Sequence, residues 1–297
     1  MGKIFSFFNQ KGGVGKTTSV VNISAVLAIY GKRVLLIDLD SQGNATSGLG
    51  IEKNENESTA YQLLVENASP NESIKKTSIE NLSIVPSNAH LSGAEMHLIG
   101  RDQREFVLRE QLKKISEDYD FILLDCPPSL GLTSINALTS SDYIIIPLQC
   151  EYYALEGLGQ LLNTQQLVKK NLSANLELGG VILTMADVRT NLTQQVIEEV
   201  RNYFKEKVFQ TVIPRSVKLS EAPSFGKPAV IYDPHNRGSQ AYVELGKEFL
   251  TRFGSDEDRR RISENLSEVA ETPIVEEVKQ QEIQVAADPA TTAQPNP

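Results

Sequence analysis

The chain is poor in cysteine, in long apolar runs and in internal repetition, and each shortage removes a class of protein. Two cysteines in 297 residues, Cys126 and Cys150, are too few for a disulfide framework. Each closes an apolar run, the setting of a buried, reduced thiol in a cytosolic protein. No run approaches the roughly 18 apolar residues of a membrane span. The N-terminus enters a strand pattern at once, so no signal peptide is expected and the reading is cytoplasmic. No helix-turn-helix pattern precedes that strand, which argues against sequence-specific operator binding.

What is present begins with charge and length. With 40% hydrophobic residues, the chain can bury one large α/β core once its tail is set aside. The net charge of -9 is unevenly spread: residues 255–297 hold ten acids and four bases, whereas residues 1–254 differ by only three. The expected body, 1–254, is therefore near neutral and can carry a local basic patch. The tail, 255–297, is acidic, polar and without aromatics, which predicts disorder with one weak helix near 257–270.

The chemistry-bearing stretch is Gln10-Lys11-Gly12-Gly13-Val14-Gly15-Lys16-Thr17-Thr18, between an apolar run at 4–8 and a helical pattern at 20–30. A loop after a strand and before a helix aims backbone N–H groups and the positive helix end at one point, and glycines keep Cβ atoms away from an oxyanion. Lys16 supplies a cation for the outer phosphates, and the Thr17 hydroxyl suits magnesium. The general pattern G-x-x-x-x-G-K-[ST] would put its first glycine where Gln10 stands, and a second lysine, Lys11, sits inside the loop. The bland alternative is a glycine-rich turn with an incidental lysine.

Continuous apolar runs at 34–37 and 121–124 end in Asp38 and Asp125, and Asp40 lies two residues beyond the first. Such runs suit strands covered on both faces. An apolar strand ending in aspartate downstream of a phosphate loop suits a carboxylate that holds magnesium through water, although an aspartate capping a turn has the same appearance. A polar insertion at 52–80 shows no chemistry. Further elements are expected as a strand at 82–85, a helix at 101–116, a helix at 133–138, a strand at 143–148 and a helix at 154–170. A strand at 180–185, a helix at 193–204, a strand at 211–213 and a helix at 239–253 complete the pattern. This alternation predicts a doubly wound, mainly parallel α/β sheet.

Three segments, Lys11 to Thr18, Asp38-Leu39-Asp40-Ser41-Gln42-Gly43-Asn44 and Ile122-Leu123-Leu124-Asp125-Cys126-Pro127-Pro128-Ser129, resemble the nucleotide motifs of the deviant Walker A P-loop ATPases. Within that group, Ile135 to Leu138, Cys150 to Leu158, Arg189-Thr190-Asn191 and Leu219 to Pro228 resemble the short bacterial ParA proteins of the Soj type. The resemblance spans about residues 1–253. It implies an Mg2+-dependent ATPase whose subunits close face to face around ATP. Lys11 would then reach the partner's phosphates, while Gly12, Gly13, Val14, Gly15, Lys16, Thr17 and Thr18 cradle the subunit's own. By the same resemblance Asp40 orients the attacking water, and Thr17, Asp125 and Asp40 serve the metal, with Asp38 assisting that shell or a hydrogen bond. Met185, Pro214 and Ser216 would border the adenine.

The resemblance further implies non-specific DNA binding by the ATP dimer, through Arg189 and through Lys218, the latter where the family carries arginine; Arg215 is a further candidate. A lysine keeps the charge but loses the two-pronged phosphate contact of a guanidinium. A ParB-type centromere-binding protein is the implied partner, the nucleoid the implied location, and chromosome or plasmid partition the implied role. Ser41 stands where the family usually has proline, which loosens the turn after Asp40. Two other readings compete. A MinD-like membrane-surface ATPase would need a basic amphipathic C-terminal helix, and this tail is acidic. An iron-sulfur reductase component would need both cysteines at a subunit interface.

Overall fold

Successive residues of the central strands enter different cores. Ile4, Leu35, Ile122 and Ile144 belong to one buried cluster, and their chain neighbours Phe5, Leu36, Leu123 and Ile145 belong to another. Strand side chains alternate faces, so a strand that is apolar at every position is one covered on both sides. The computed structural model describes residues 2–54, 57–66, 68–151, 154–173, 175–187 and 189–265, with backbone only at 154–158, 160 and 265.

The strands are β1 Lys3–Phe7, β2 Val34–Asp38, β3 Lys75–Lys76, β4 Leu82–Val85, β5 Phe121–Asp125, β6 Tyr143–Gln149, β7 Glu177–Ala186 and β8 Val208–Pro214. They form one sheet in the order β3-β4-β2-β5-β1-β6-β7-β8. Among the described residues every pairing is parallel except β3 with β4. The helices are α1 Lys16–Ile29, α2 Asn44–Gly48, α3 Pro70–Ser73, α4 Ala94–Leu98, α5 Val107–Leu112, α6 Leu132–Ser140, α7 Ala154–Asn171 and α8 Asn191–Phe204, followed by α9 Val217–Glu221, α10 Ala229–Tyr232, α11 Arg237–Phe253 and α12 Asp256–Asn265.

Helices α1 and α11 bury Ile23, Leu27, Leu245 and Phe249 against one face of the sheet. Helices α5, α6, α7 and α8 bury Leu112, Leu138, Leu161 and Val200 against the other. The expected doubly wound, mainly parallel α/β architecture is therefore the observed one. Winding reverses around β1, which has β5 on one side and β6 on the other. Open α/β sheets place ligands at the strand ends beside such a reversal. The register levels those ends, because Phe7 and Asp38 both pair with Asp125.

Three local expectations shift. The helix expected at 101–116 is regular only over Val107–Leu112, yet Leu108, Leu112 and Ile115 are all buried, so the apolar pattern reported burial better than helix length. β7 starts at Glu177, ahead of the glycines that had marked its beginning, because Tyr143 and Ile144 of β6 pair with Glu177 and Leu178. Beyond residue 254, where the folded body was expected to end, α12 packs Ile262 into the core, and Lys32 forms an ion pair with Asp258. Asp258 also accepts from the backbone and hydroxyl of Ser255, fixing the start of that helix. The remainder of the acidic tail, 266–297, lies outside the described residues. Among them no helix is long and apolar enough to cross a membrane.

Candidate active site

Residues 8–15 must carry the chain from the end of β1 to the start of α1, beside the ends of β6 and β7. Gly13 and Gly15 make the turn with φ of 72° and 86°, backbone that costs a side-chain-bearing residue roughly 1 kcal/mol or more. Neighbouring strands fix the loop. Asn9 Nδ2 donates to the Pro147 carbonyl at 2.8 Å, the Lys11 N–H donates to Asn9 Oδ1 at 3.0 Å, and Thr184 Oγ1 donates to the Val14 carbonyl at 2.8 Å. Helix α1 begins after Gly15 without a side-chain cap, leaving its positive end to an anion.

Lys16 and Thr17 open this helix. Lys16 Nζ donates to the Lys11 carbonyl at 3.2 Å, and burial lowers its pKa, opposed by the charges of Asp125 and Asp40. Thr17 Oγ1 donates to Asp125 Oδ2 at 2.8 Å. The second oxygen, Asp125 Oδ1, is buried without a hydrogen-bond partner. A buried carboxylate oxygen in that condition fits Mg2+ or a water of its shell. Burial, with the charges of Asp38 and Asp40, raises the Asp125 pKa well above the usual carboxylate range. Among the described residues no group of three or more His, Cys, Asp or Glu side chains could hold a metal. Thr17 and the unpartnered Asp125 oxygen suit a cation that arrives with phosphate oxygens.

Asp38 serves the loop. Its Oδ2 accepts from the Thr46 backbone at 2.9 Å and hydroxyl at 2.7 Å, and its Oδ1 accepts from the Asp40 N–H at 3.1 Å. Burial nevertheless raises its pKa to about 6. Of the two alternatives left by the sequence, the structure displays the hydrogen-bonding one. Half-buried Asp40 accepts from the Gln42 N–H, and the Gly43 N–H donates to the Asp40 carbonyl at 2.8 Å, closing the turn that contains Ser41.

Met185, Pro214 and Ser216 line one cavity of about 430 Å³ with Gly15, Thr17 and Thr18. That volume lies in the usual range for ligand sites. Met185 holds a left-handed φ of 52°, rare for a residue with a side chain and a local cost concentrated at the cavity wall. Tyr242, whose hydroxyl hydrogen-bonds Ser19 Oγ at 3.0 Å, closes the cavity. Cys126 and Cys150 are free, buried thiols, and burial pushes the Cys150 pKa up to about 11.

Lys11 points elsewhere. Its amine meets Glu151 Oε2 at 3.1 Å, outside the cavity. The three expected DNA-binding cations also share this edge of the sheet, because the Arg215 N–H donates to the Ala186 carbonyl and draws the loop after β8 to the end of β7. Each faces a carboxylate: Arg189 pairs with Asp187 at 2.7 Å, Lys218 with Glu221 at 2.9 Å, and Arg215 stands 4.0 Å from Glu151. Their side chains remain 85%, 41% and 65% exposed for Arg189, Lys218 and Arg215 respectively, so the pairing leaves them reachable. Sequence reading had not singled out Asn9, Thr184 or Glu151 as members of the site. Thr184 and Val14 are 170 residues apart, and no local signal announces such a pair.

A glycine-turned phosphate loop, a threonine on a strand-end aspartate and a second loop lysine, set on a doubly wound parallel sheet, define a P-loop ATPase of the deviant Walker A type. The AAA domain family model matches residues 2–178. The sporulation initiation inhibitor protein Soj of Bacillus subtilis is 58% identical over 84% of this chain and 98% of its own length. The chromosome partitioning protein ParA of Myxococcus xanthus is 48% identical over 89% and 93%. The chain belongs to the Soj/ParA family of chromosome-partitioning ATPases. Among solved structures, cobyrinic acid a,c-diamide synthase from Mycobacterium smegmatis with bound ATP analogue and magnesium superposes with a TM-score of 0.75 at 34% identity, over 86% of this chain and 97% of that one.

Proposed function

We propose that this ATPase is a dimerisation switch for chromosome or plasmid partition. With ATP and Mg2+ it closes into a homodimer and binds nucleoid DNA without sequence preference. A ParB-type protein then stimulates its slow hydrolysis, and the subunits release DNA. The single observation that carries the reading is the division of labour between two lysines. Lys16 is buried at the start of α1, its amine turned back to the Lys11 carbonyl, whereas the half-exposed Lys11 amine is directed out to Glu151 at the surface, where a neighbouring subunit could compete for it.

On this reading each of the chain's own groups has a role that its position permits. Lys16 and the loop N–H groups bind and orient the phosphates. Thr17 and Asp125 would hold Mg2+, which would supply charge neutralisation for the transferring phosphoryl group. Asp40 orients the attacking water, and Lys11 from the partner stabilises charge that develops only in the transition state. A lysine delivered by a partner makes hydrolysis conditional on the dimer. Met185, Pro214 and Ser216 border the base, and Arg189, Arg215 and Lys218 take DNA phosphates.

DNA binding measured with ATP and with ADP tests the reading. Lys16→Ala should lose the ATP dimer and DNA binding together. Asp40→Ala should keep DNA binding while hydrolysis falls by about 10²-fold or more, as for loss of a positioned general base. Arg189→Glu should lose DNA binding and any response of hydrolysis to DNA. Tight DNA binding with ADP alone, or fast turnover without a partner protein, would remove the switch.

A further inference from the structure

The loops after β1, β6 and β8 lie along one edge, since the sheet order sets β6 beside β1 and only β7 between β6 and β8. Glu151, two residues past β6, occupies the middle of that edge. Its Oε2 accepts from Lys11 Nζ at 3.1 Å, its Oε1 accepts from Gln149 Nε2, and the Arg215 guanidinium stands 4.0 Å away. Backbone bonds tie Glu151 down: its N–H donates to the Gln149 carbonyl, and the Cys150 N–H donates to the Thr184 carbonyl. The main chain that bears the carboxylate is therefore held at the ends of β6 and β7, and its side chain is held by Gln149.

We propose that Glu151 is a positioning residue for Lys11: it holds the amine on its own subunit until ATP-driven closure offers a stronger anion, and so sets the ATP threshold of dimerisation. The inference rests on the dimer reading above. The physical argument is one of competition. A triphosphate carries more charge than one carboxylate and makes charge-assisted hydrogen bonds of the same kind, so it can win the lysine. Lys11 and Glu151 are 50% and 47% exposed, which keeps the pair weak enough to be outbid. A buried pair would lock the lysine instead.

An exposed pair of this kind is worth up to about fivefold in an equilibrium constant, and two pairs open for each dimer, so their effects multiply to at most about 25-fold. The full-length chain and its Glu151→Gln and Glu151→Ala variants would be followed by sedimentation velocity with a non-hydrolysable ATP analogue. Both variants should associate more tightly, by roughly 2- to 25-fold. In parallel, acetylation of Lys11 by acetic anhydride without nucleotide, read by mass spectrometry against the other lysines, should speed up at least about twofold in both. Association within twofold of wild type in both variants would overturn the proposal, whatever the labelling shows. A wild-type chain that stays monomeric with the analogue would overturn the dimer reading and this threshold together. The labelling rate, which needs no dimer, would still distinguish that result from an absent Lys11–Glu151 pair.

Discussion

Asp38 and Asp125 are register partners at the ends of β2 and β5, both fully buried. Two such carboxylates share a proton more readily than they hold two charges. Burial raises the Asp38 pKa to about 6 despite its bonds to Thr46 and Asp40, and it raises Asp125 as well. For a carboxyl whose folded pKa is raised, the stability contribution is present below the unfolded value near 4 and is lost as pH climbs through about 6. The charge that then appears favours a cation. Magnesium-dependent nucleotide affinity should thus be about fourfold tighter at pH 7.5 than at pH 5.5, if binding releases one proton from a group of pKa about 6. Titration calorimetry with Mg-ADP against ADP alone checks this. Asp38→Asn isolates the Asp38 contribution, since it should flatten the difference; an equal pH dependence in the variant would assign the effect to Asp125 or to the phosphates.

At the scale of elements, the loop lysine and threonine are aimed by α1, and α1 is seated on α11 through a glycine. A Cβ on Gly246 would lie 2.3 Å from Val26 Cγ1, a fully buried, β-branched side chain with little freedom to yield. Gly246→Ala should therefore cost about 1–3 kcal/mol, read as a lowered urea midpoint with an unchanged slope. Gly159, in α7, has no atom of the described residues within 4 Å of where a Cβ would go, and Gly159→Ala should instead gain about 0.5–1 kcal/mol. A neutral Gly246→Ala would mean that the two helices can separate without loss. The same elements explain what could be read from sequence. β2 and β5 were legible because burial on both faces leaves an unbroken apolar run, and the phosphate loop because its glycines and Lys16 are adjacent in the chain. The edge strand β3 was not, since Lys75 and Lys76 carry no apolar pattern and gain their conformation by pairing with Ser83 and Ile84. Thr184 and Glu151 were missed as site members for a related reason: their partners are brought to them by strand order, which no short window contains.

For the whole molecule the question is how a chain of net charge -9 could hold DNA. The body is near neutral, and Arg189, Arg215 and Lys218 collect at the edge that also carries the nucleotide site. Each faces a carboxylate, so a phosphate must replace an existing partner, and the net gain per contact is smaller than for a free cation. The same geometry predicts the sign of an unusual result: Asp187→Asn, which removes the carboxylate from Arg189, should tighten DNA binding rather than disturb it. If all three cations reach phosphate in both subunits of a dimer, six contacts form, and the slope of log K against log salt should be about -5. Arg189→Glu removes one contact per subunit and should reduce that slope by about 2, with weakening similar for unrelated DNA sequences. Fluorescence anisotropy with ATP between 50 and 200 mM salt would measure both. A wild-type slope near half the expected value would mean that one subunit holds the DNA, and the coupling of DNA binding to dimer closure would then need another cause. An unchanged slope in Arg189→Glu would place the DNA face away from the nucleotide edge altogether.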